Sequence, residues 1–115
     1  MDWDEYIKWG EEVVHWGSNY RKNIQNFPVR SQNKPGDTFN SLPVSPPEKP
    51  EPIKNIFDDF NKLIMPGITH WQHPRFFAYF PSNAAPASVL AEMLANTIGS
   101  QCMLWQTSPA ANELE

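Results

Sequence analysis

Few residues of this sequence combine a type and a spacing that could support catalysis or metal binding. His70 and His73 form a His-x-x-His pair, which can hold a metal ion when a Cys or a carboxylate stands at ligand spacing. No such neighbour is present, so we do not expect a metal site. Cys102 lies near no evident base, and we interpret it as a small buried apolar residue rather than a nucleophile. No phosphate loop, G-x-S-x-G or H-E-x-x-H motif occurs. Spacing alone therefore predicts no catalytic residue.

Aromatic surface is the more informative chemistry of this chain. Aromatic residues concentrate between positions 71 and 80, and another follows at Trp105. A buried aromatic side chain covers about 150–250 Å². At about 25 cal/mol per Å² of apolar area, leaving several such side chains exposed to water would cost many kcal/mol. We therefore expect these side chains to meet the rest of a larger protein, a partner subunit or a flat apolar ligand, and the first two are favoured.

Composition excludes several functional classes. The chain has 115 residues, a net charge of −4 and one cysteine, so it is at most one ordinary domain without the basic field that nucleic acid requires. A single thiol cannot form an intrachain disulfide and fits a reducing cytoplasm. The acidic opening MDWDEY is unlike a signal peptide, and prolines interrupt the long uncharged stretches. We predict a soluble cytoplasmic protein with neither a nucleic-acid nor a membrane partner.

Three amphipathic helices are predicted to position the aromatic residues. Apolar residues recur with a helical period from Trp3 to Ile24, behind Asp2 as a cap. Residues 53–64 show the same period and end at the MPG sequence of 65–67. A third helix begins near Pro86, a favoured first-turn residue, and ends at Gly99. Between the first two helices, residues 25–52 hold seven prolines and are interpreted as an extended strap with few interior contacts.

Two further features of the helices leave questions open. Gly10 and Gly17 lie on the buried stripe of the first helix, which indicates either a closely approaching backbone or simply a weak helix. Ser108 and Pro109 form a helix start, yet the sequence given stops about two turns later, too short for a helix that is stable alone. We expect the native polypeptide, or a second chain, to continue this helix.

Residues 65–115 carry three motifs that together identify a family. The motifs are MPG with THW-x-x-P at Met65 to Pro74, FFAYFP at Phe76 to Pro81, and W-x-x-SPA-x-x-ELE at Trp105 to Glu115. This stretch resembles the amino-terminal region of the pyridoxal-phosphate-dependent group II decarboxylases, most closely the aromatic-L-amino-acid decarboxylases. The order of helix, proline-rich strap and helix before it is compatible with that resemblance.

The resemblance implies a fold and a set of partners. The chain would be an all-α segment, the amino-terminal arm of a fold-type I lyase whose α/β large domain lies beyond residue 115. Residues 1–85 would clasp the other subunit of a homodimer, and residues 86–115 would lead into the large domain. Pyridoxal 5'-phosphate would be bound mainly by residues beyond this chain. The chain itself would hold neither catalytic nor cofactor-binding residues and would not be catalytic alone. The reaction, decarboxylation of an aromatic L-amino acid to its amine, belongs to carboxylic acid and amino acid metabolism.

The resemblance also implies which residues would line the substrate pocket. Trp71, Tyr79, Phe80 and Pro81 look like walls around the aromatic side chain, and the Ser82 hydroxyl stands where it could contact a ring hydroxyl. Gln101 and Met103 match positions through which one subunit reaches into its neighbour's site, although bulkier apolar residues are common there. Ordinary packing is the alternative for each of these residues, and it is preferred for three other aromatic side chains, Phe76, Phe77 and Trp105.

Two other functions remain open on the sequence. An aldehyde synthase of the same fold would look the same over these residues, because the residues that separate the two activities would lie beyond this chain. A non-catalytic helical interaction module is the other candidate, and the helix that starts at Pro109 and stops early argues against it.

Overall fold

The computed structural model describes residues 1–80 and 83–114, and this part of the chain contains helices and no strands. The expectation of an all-α segment is confirmed. The chain divides into two compact units, Met1–Pro81 and Ser82–Glu115. The described residues form five α-helices, which are α1 (Trp3–Asn23), α2 (Asp37–Ser41), α3 (Ile53–Asp59), α4 (Pro86–Ile98) and α5 (Pro109–Leu114).

Helix α1 begins at the predicted cap. The Asp2 carboxylate accepts hydrogen bonds from the backbone N–H groups of Asp4 and Glu5, at 3.0 and 2.8 Å, and so satisfies two donors that have no partner within the helix. A 3-10 turn, Ile24–Asn26, follows the helix. A Cβ atom added at Gly17 would meet nothing within 4 Å. No backbone of the described residues approaches Gly17 closely, and a weak helix is the interpretation that fits it.

Helix α3 packs on α1 through aromatic rings. Trp16 lies 5.3 Å from Phe60 and 6.3 Å from Phe57, measured between ring centroids. The predicted second helix is present, but its second half, Phe60–Ile64, widens into a π-helical turn before the 3-10 turn Met65–Gly67. Asn61 lies in the π turn and accepts a 2.8 Å hydrogen bond from the Trp16 indole N–H. The π turn thus lies where α1 contacts this segment. Single π turns within helices often occur at functional sites.

The strap of residues 25–52 is more structured than the sequence predicted. It contains α2, which is preceded by Gly36 at a φ of 94°. The Lys34 N–H donates a hydrogen bond of 2.7 Å to the carboxylate of Asp37, the first residue of α2. Its first part is also held against residues 66–70. The Ser31 hydroxyl donates to the Pro66 carbonyl at 2.9 Å, and the His70 N–H donates to the Val29 carbonyl at 2.9 Å.

The prediction that this strap makes few interior contacts is therefore wrong for its first part. The hydrogen bonds that hold it run through backbone groups and polar side chains, which leave no apolar period in the sequence. The first of the three motifs, Met65 to Pro74, lies where this part of the strap is attached, since it contains both Pro66 and His70.

The second unit contains the predicted third helix. Helix α4 starts with Pro86 and is closed by Gly99, which has a φ of 61° and donates its N–H to the Ala95 carbonyl at 3.0 Å. Near α5, the Trp105 indole N–H donates to the Glu113 carboxylate at 2.7 Å. No described residue of 83–114 is buried. Cys102 is exposed, so the expectation of a buried cysteine is wrong for this chain.

No helix among the described residues is both long enough and apolar enough to cross a lipid bilayer.

Gly67, at the end of the 3-10 turn Met65–Gly67, lies close to the strap. A Cβ atom at Gly67 would lie 2.7 Å from the Thr38 Oγ1 atom, which also accepts a 3.0 Å hydrogen bond from the Asn33 amide. Gly67→Ala should therefore destabilise strap docking by about 1–2 kcal/mol and raise the undocked fraction about five- to thirtyfold. The rate of proteolytic cleavage within residues 25–52 of the native protein measures this change.

Thr38→Ala supplies the control for that experiment. It removes the clashing oxygen and leaves the Thr38 Cβ position, 3.9 Å from the added methyl group, which is ordinary contact. The double variant should therefore be cleaved no faster than Thr38→Ala alone. Additive effects of the two substitutions would show that the strap does not press on Gly67.

Candidate functional site

Two histidines are among the three buried residues in the described part of the first unit. His70 is 2% exposed and His73 6% exposed, and Ile24 at 5% is the only buried hydrophobic residue in the described part of the chain. The Tyr20 hydroxyl and the His70 Nδ1 atom share a hydrogen bond of 2.7 Å, and the Phe27 ring lies 4.8 Å from the imidazole. His70 thus holds the end of α1 and the start of the strap together.

Burial controls the charge of this pair. Desolvation by burial lowers the pKa of His70 below its ordinary value of 6.5, and the neighbouring His73 lowers it further by a smaller amount. Desolvation also raises the pKa of the Tyr20 hydroxyl, against a smaller opposing effect of Arg21. Both groups therefore remain neutral at neutral pH, as expected of a buried hydrogen-bonded pair.

The lowered pKa of His70 predicts a pH dependence of strap docking. The undocked state binds a proton more readily than the docked state, so docking weakens as the pH falls below 6.5 towards the lowered pKa, and it is unaffected above 6.5. In the native protein, exchange of the His70 amide, which donates to the Val29 carbonyl, should accelerate over that range after correction for intrinsic rates. His70→Asn cannot titrate and should show a flat profile; the same slope in both proteins would contradict the assignment.

His73 has both ring nitrogens engaged. The Arg75 N–H donates to its Nδ1 atom at 2.9 Å, so the neutral ring carries its proton on Nε2. That Nε2–H faces the Gln25 carbonyl at 3.4 Å. Neither nitrogen of His73 is left for a metal ion, and the His-x-x-His spacing serves two separate hydrogen-bonded contacts with the α1 end and the strap.

The predicted pocket residues Trp71 and Tyr79 are brought together as stacked rings. The Trp71 ring lies 5.7 Å from Tyr79 with an interplanar angle of 17°, and 5.0 Å from Phe76 with an angle of 29°. Tyr79 has a φ of 54° and is the only described non-glycine residue at positive φ. For a bulky residue this conformation costs free energy, and such positions concentrate at functional sites. Phe76 was interpreted as simple packing, and sequence spacing offered no signal for its place in the stack.

The other predicted pocket residues are placed separately. Phe80 is 99% exposed and Tyr79 81% exposed, so the aromatic segment presents open ring surface. Gln101 and Met103 are exposed residues of the second unit. Pro81 and Ser82 lie outside the described residues. Phe77 is 93% exposed and Trp105 55% exposed, and for both the preference for packing remains a prediction.

The described residues do not fit a pyridoxal-phosphate site of their own. All six lysines, Lys8, Lys22, Lys34, Lys49, Lys54 and Lys62, are exposed, whereas a Schiff-base lysine is activated by desolvation in an apolar pocket or by a neighbouring cation. The described sequence also has no glycine-rich loop to hold a phosphate.

Fold and site together define an all-α segment that presents stacked aromatic side chains. A sequence model of the pyridoxal-dependent decarboxylase conserved domain matches residues 35–115. The chain belongs to the pyridoxal-dependent decarboxylase family, and the predicted resemblance is confirmed.

Curated relatives and solved structures agree with this assignment. Over its whole length, the chain is 43% identical to tyrosine decarboxylase 1 of Narcissus pseudonarcissus and 45% identical to phenylacetaldehyde synthase of Arabidopsis thaliana, and it covers 22% and 24% of those proteins. It superposes on the crystal structure of Catharanthus roseus tryptophan decarboxylase in complex with L-tryptophan with a TM-score of 0.93 and 37% identity, covering 100% of this chain and 25% of that one. The chain thus spans about a quarter of its relatives, and it corresponds to their amino-terminal region.

Proposed function

We propose that this chain is the amino-terminal arm of a homodimeric enzyme that uses pyridoxal phosphate to decarboxylate an aromatic L-amino acid. The cofactor supplies the electron sink for such a reaction, and the arm supplies subunit contacts and part of the substrate pocket. The observation that carries the proposal is the Trp71–Tyr79 stack, which lies within motifs of a pyridoxal-dependent decarboxylase family.

The stack is suited to bind a flat aromatic side chain. Parallel rings at 5.7 Å form a rigid apolar wall, and Phe80, 99% exposed, adds a second ring surface in the same segment. Offset or edge-on contact with such rings favours an aromatic ligand by about 0.5–1.5 kcal/mol per pair beyond area burial. We therefore assign Trp71, Tyr79 and Phe80 to the pocket wall, together with Pro81 and Ser82.

Subunit clasping is assigned to residues 1–85, and residues 86–115 are assigned to the approach to the large domain. Helix α4 exposes an apolar face, and an open apolar groove of about 800 Å³ lies between the later strap and the α3 segment, lined in part by Leu42, Pro47 and Ile56. Exposed apolar surface of this extent is typical of a segment that is covered by another part of an assembly. The apolar residues of the α4 face are Val89, Leu90, Met93, Leu94 and Ile98.

Gln101 and Met103 are proposed to reach the neighbouring subunit's pocket. Both are exposed here, and Met103 is 74% exposed. A polar amide and a flexible thioether at the far end of the pocket would select the ring substituent of the substrate. A cytoplasmic location is proposed on the exposed free thiol of Cys102, since such thiols persist in reducing compartments.

A second function, aldehyde synthesis, is favoured by a specific comparison. Phenylacetaldehyde synthase of Arabidopsis thaliana is as similar to the chain as tyrosine decarboxylase 1 of Narcissus pseudonarcissus is. The two activities differ in their products: a decarboxylase releases carbon dioxide and an amine, whereas the synthase consumes dioxygen and water and releases carbon dioxide, an aldehyde, ammonia and hydrogen peroxide.

One assay separates these possibilities. The full-length protein, loaded with pyridoxal phosphate, is incubated with tyrosine, DOPA, tryptophan or phenylalanine, and carbon dioxide, amine, aldehyde and hydrogen peroxide are measured. Amine without peroxide supports decarboxylation, and aldehyde with stoichiometric peroxide supports the synthase. Turnover of none of the four substrates would reject both and favour a non-catalytic interaction module.

A further inference from the structure

His73 is connected to both the strap and the aromatic stack, although it belongs to neither. It is 6% exposed, and its ring bridges the Gln25 carbonyl at 3.4 Å and the Arg75 N–H at 2.9 Å. Its own carbonyl accepts a hydrogen bond of 2.9 Å from the Phe76 N–H. The imidazole therefore closes the turn of residues 73–76 from one side and ties that turn to the end of α1 from the other.

The same turn sets the position of the aromatic rings. Phe76 is the last residue of this turn and is half-buried, and its ring lies 5.0 Å from Trp71. Trp71 in turn stacks on Tyr79, whose φ of 54° is a conformation that surrounding contacts must maintain. Every hydrogen bond and ring contact in this series lies within the unit Met1–Pro81.

We propose that His73 is a positioning residue for the substrate pocket: its two ring hydrogen bonds fix the 73–76 turn and, through Phe76, the Trp71–Tyr79 wall. This inference deepens the proposed function and rests on it. A wall that shifts by a fraction of an ångström changes how the substrate is held, because productive geometry tolerates little displacement. His73 acts through Phe76 and touches no substrate.

Three substitutions of His73 separate its two hydrogen bonds. His73→Asn keeps an acceptor for the Arg75 N–H, as in an Asx turn, and loses the reach to Gln25. His73→Gln keeps a donor for the Gln25 carbonyl, and His73→Ala loses both bonds. His15→Ala is the matched control, because His15 is an exposed histidine on α1.

In the full-length, cofactor-loaded protein we expect His73→Ala to raise KM for the best aromatic amino acid about tenfold while kcat changes less than about twofold. His73→Asn should restore KM to within about twofold of the wild-type value, because it retains the shorter bond, and His73→Gln should restore less. His15→Ala should match the wild type. Equal KM values for the Ala and Asn variants, or a fall in Tm and kcat with KM unchanged, would overturn the proposal.

A spectroscopic readout tests the positioning independently of activity. With 5-fluorotryptophan incorporated, the Trp71 resonance is assigned by its loss in Trp71→Phe, and its shift reports the rings stacked on it. His73→Ala should move this resonance in the same direction as Phe76→Ala, whereas His15→Ala should leave it in place. An unmoved resonance in His73→Ala rejects the positioning role. A moved resonance in a protein that turns over no aromatic amino acid rejects only the proposed function.

Discussion

A monomeric peptide of residues 1–115, removed from any partner, should show no cooperative unfolding transition. Only Ile24 is a buried hydrophobic residue in the described part of the chain, and one such side chain contributes about 1.5–3 kcal/mol by burial. Fixing the backbone costs about 1–2 kcal/mol for each ordered residue. Far-UV circular dichroism should therefore show weak helicity that declines gradually with temperature.

Ile24→Ala provides the matched control for this expectation. In the native protein, this substitution should cost about 2–5 kcal/mol, as for other buried large-to-small changes. In the isolated peptide it should leave the circular dichroism spectrum and its temperature dependence unchanged, because there is no folded core for it to weaken. A sharp melt of the monomeric peptide that shifts with Ile24→Ala would establish a private core and contradict the proposal of an arm.

The boundaries of the longer helices could be predicted because they are set by local chemistry. The Asp2 carboxylate caps α1, Pro86 opens α4 and Gly99 closes it at a φ of 61°. Each of these signals acts within one turn of the residue that carries it. Residues 68–80, by contrast, form turns and irregular structure.

The docking of the strap could not be predicted, because its partners are distant in sequence and leave no period. The Gln25 carbonyl meets the ring of His73, 48 residues away, and the Ser31 hydroxyl meets the Pro66 carbonyl, 35 residues away. Carbonyl groups are present in every residue, so the sequence does not mark which of them is used. The π turn at Phe60–Ile64 likewise contains a long-range contact, because its Asn61 accepts a hydrogen bond from Trp16 on another helix.

The sequence motifs named aromatic residues for the candidate site, whose role stays a prediction, but they did not give the arrangement of those residues. The motifs pointed to Trp71 and Tyr79, and the structure stacks them at 5.7 Å. The histidine spacing suggested at most a metal ion, whereas the structure uses His70 to hold Tyr20 and His73 to close the turn before Phe76. The two histidines of the His-x-x-His motif thus make separate hydrogen-bonded contacts, and both contacts hold the aromatic segment in place.

Tyr79→Ala should reduce kcat/KM for aromatic amino acids by about tenfold to a hundredfold in the full-length enzyme, a loss on the scale of one or two misplaced contacts. The Tyr79 ring is 81% exposed in this chain and stacks on Trp71, so its removal takes away part of the proposed pocket wall while little folded core is lost. The fall should therefore appear in KM and kcat/KM, with Tm changed by no more than a few degrees.

Phe77→Ala is the neighbouring control, because Phe77 is 93% exposed and is assigned to packing against the remainder of the enzyme. It should show the opposite pattern, a lower Tm with the KM of the folded enzyme unchanged. The comparison uses two aromatic residues of one segment, so a general disturbance of residues 76–80 would affect both variants alike. Equal losses of Tm and activity in Tyr79→Ala would mean that Tyr79 only packs, and the pocket wall would then have to lie elsewhere in the enzyme.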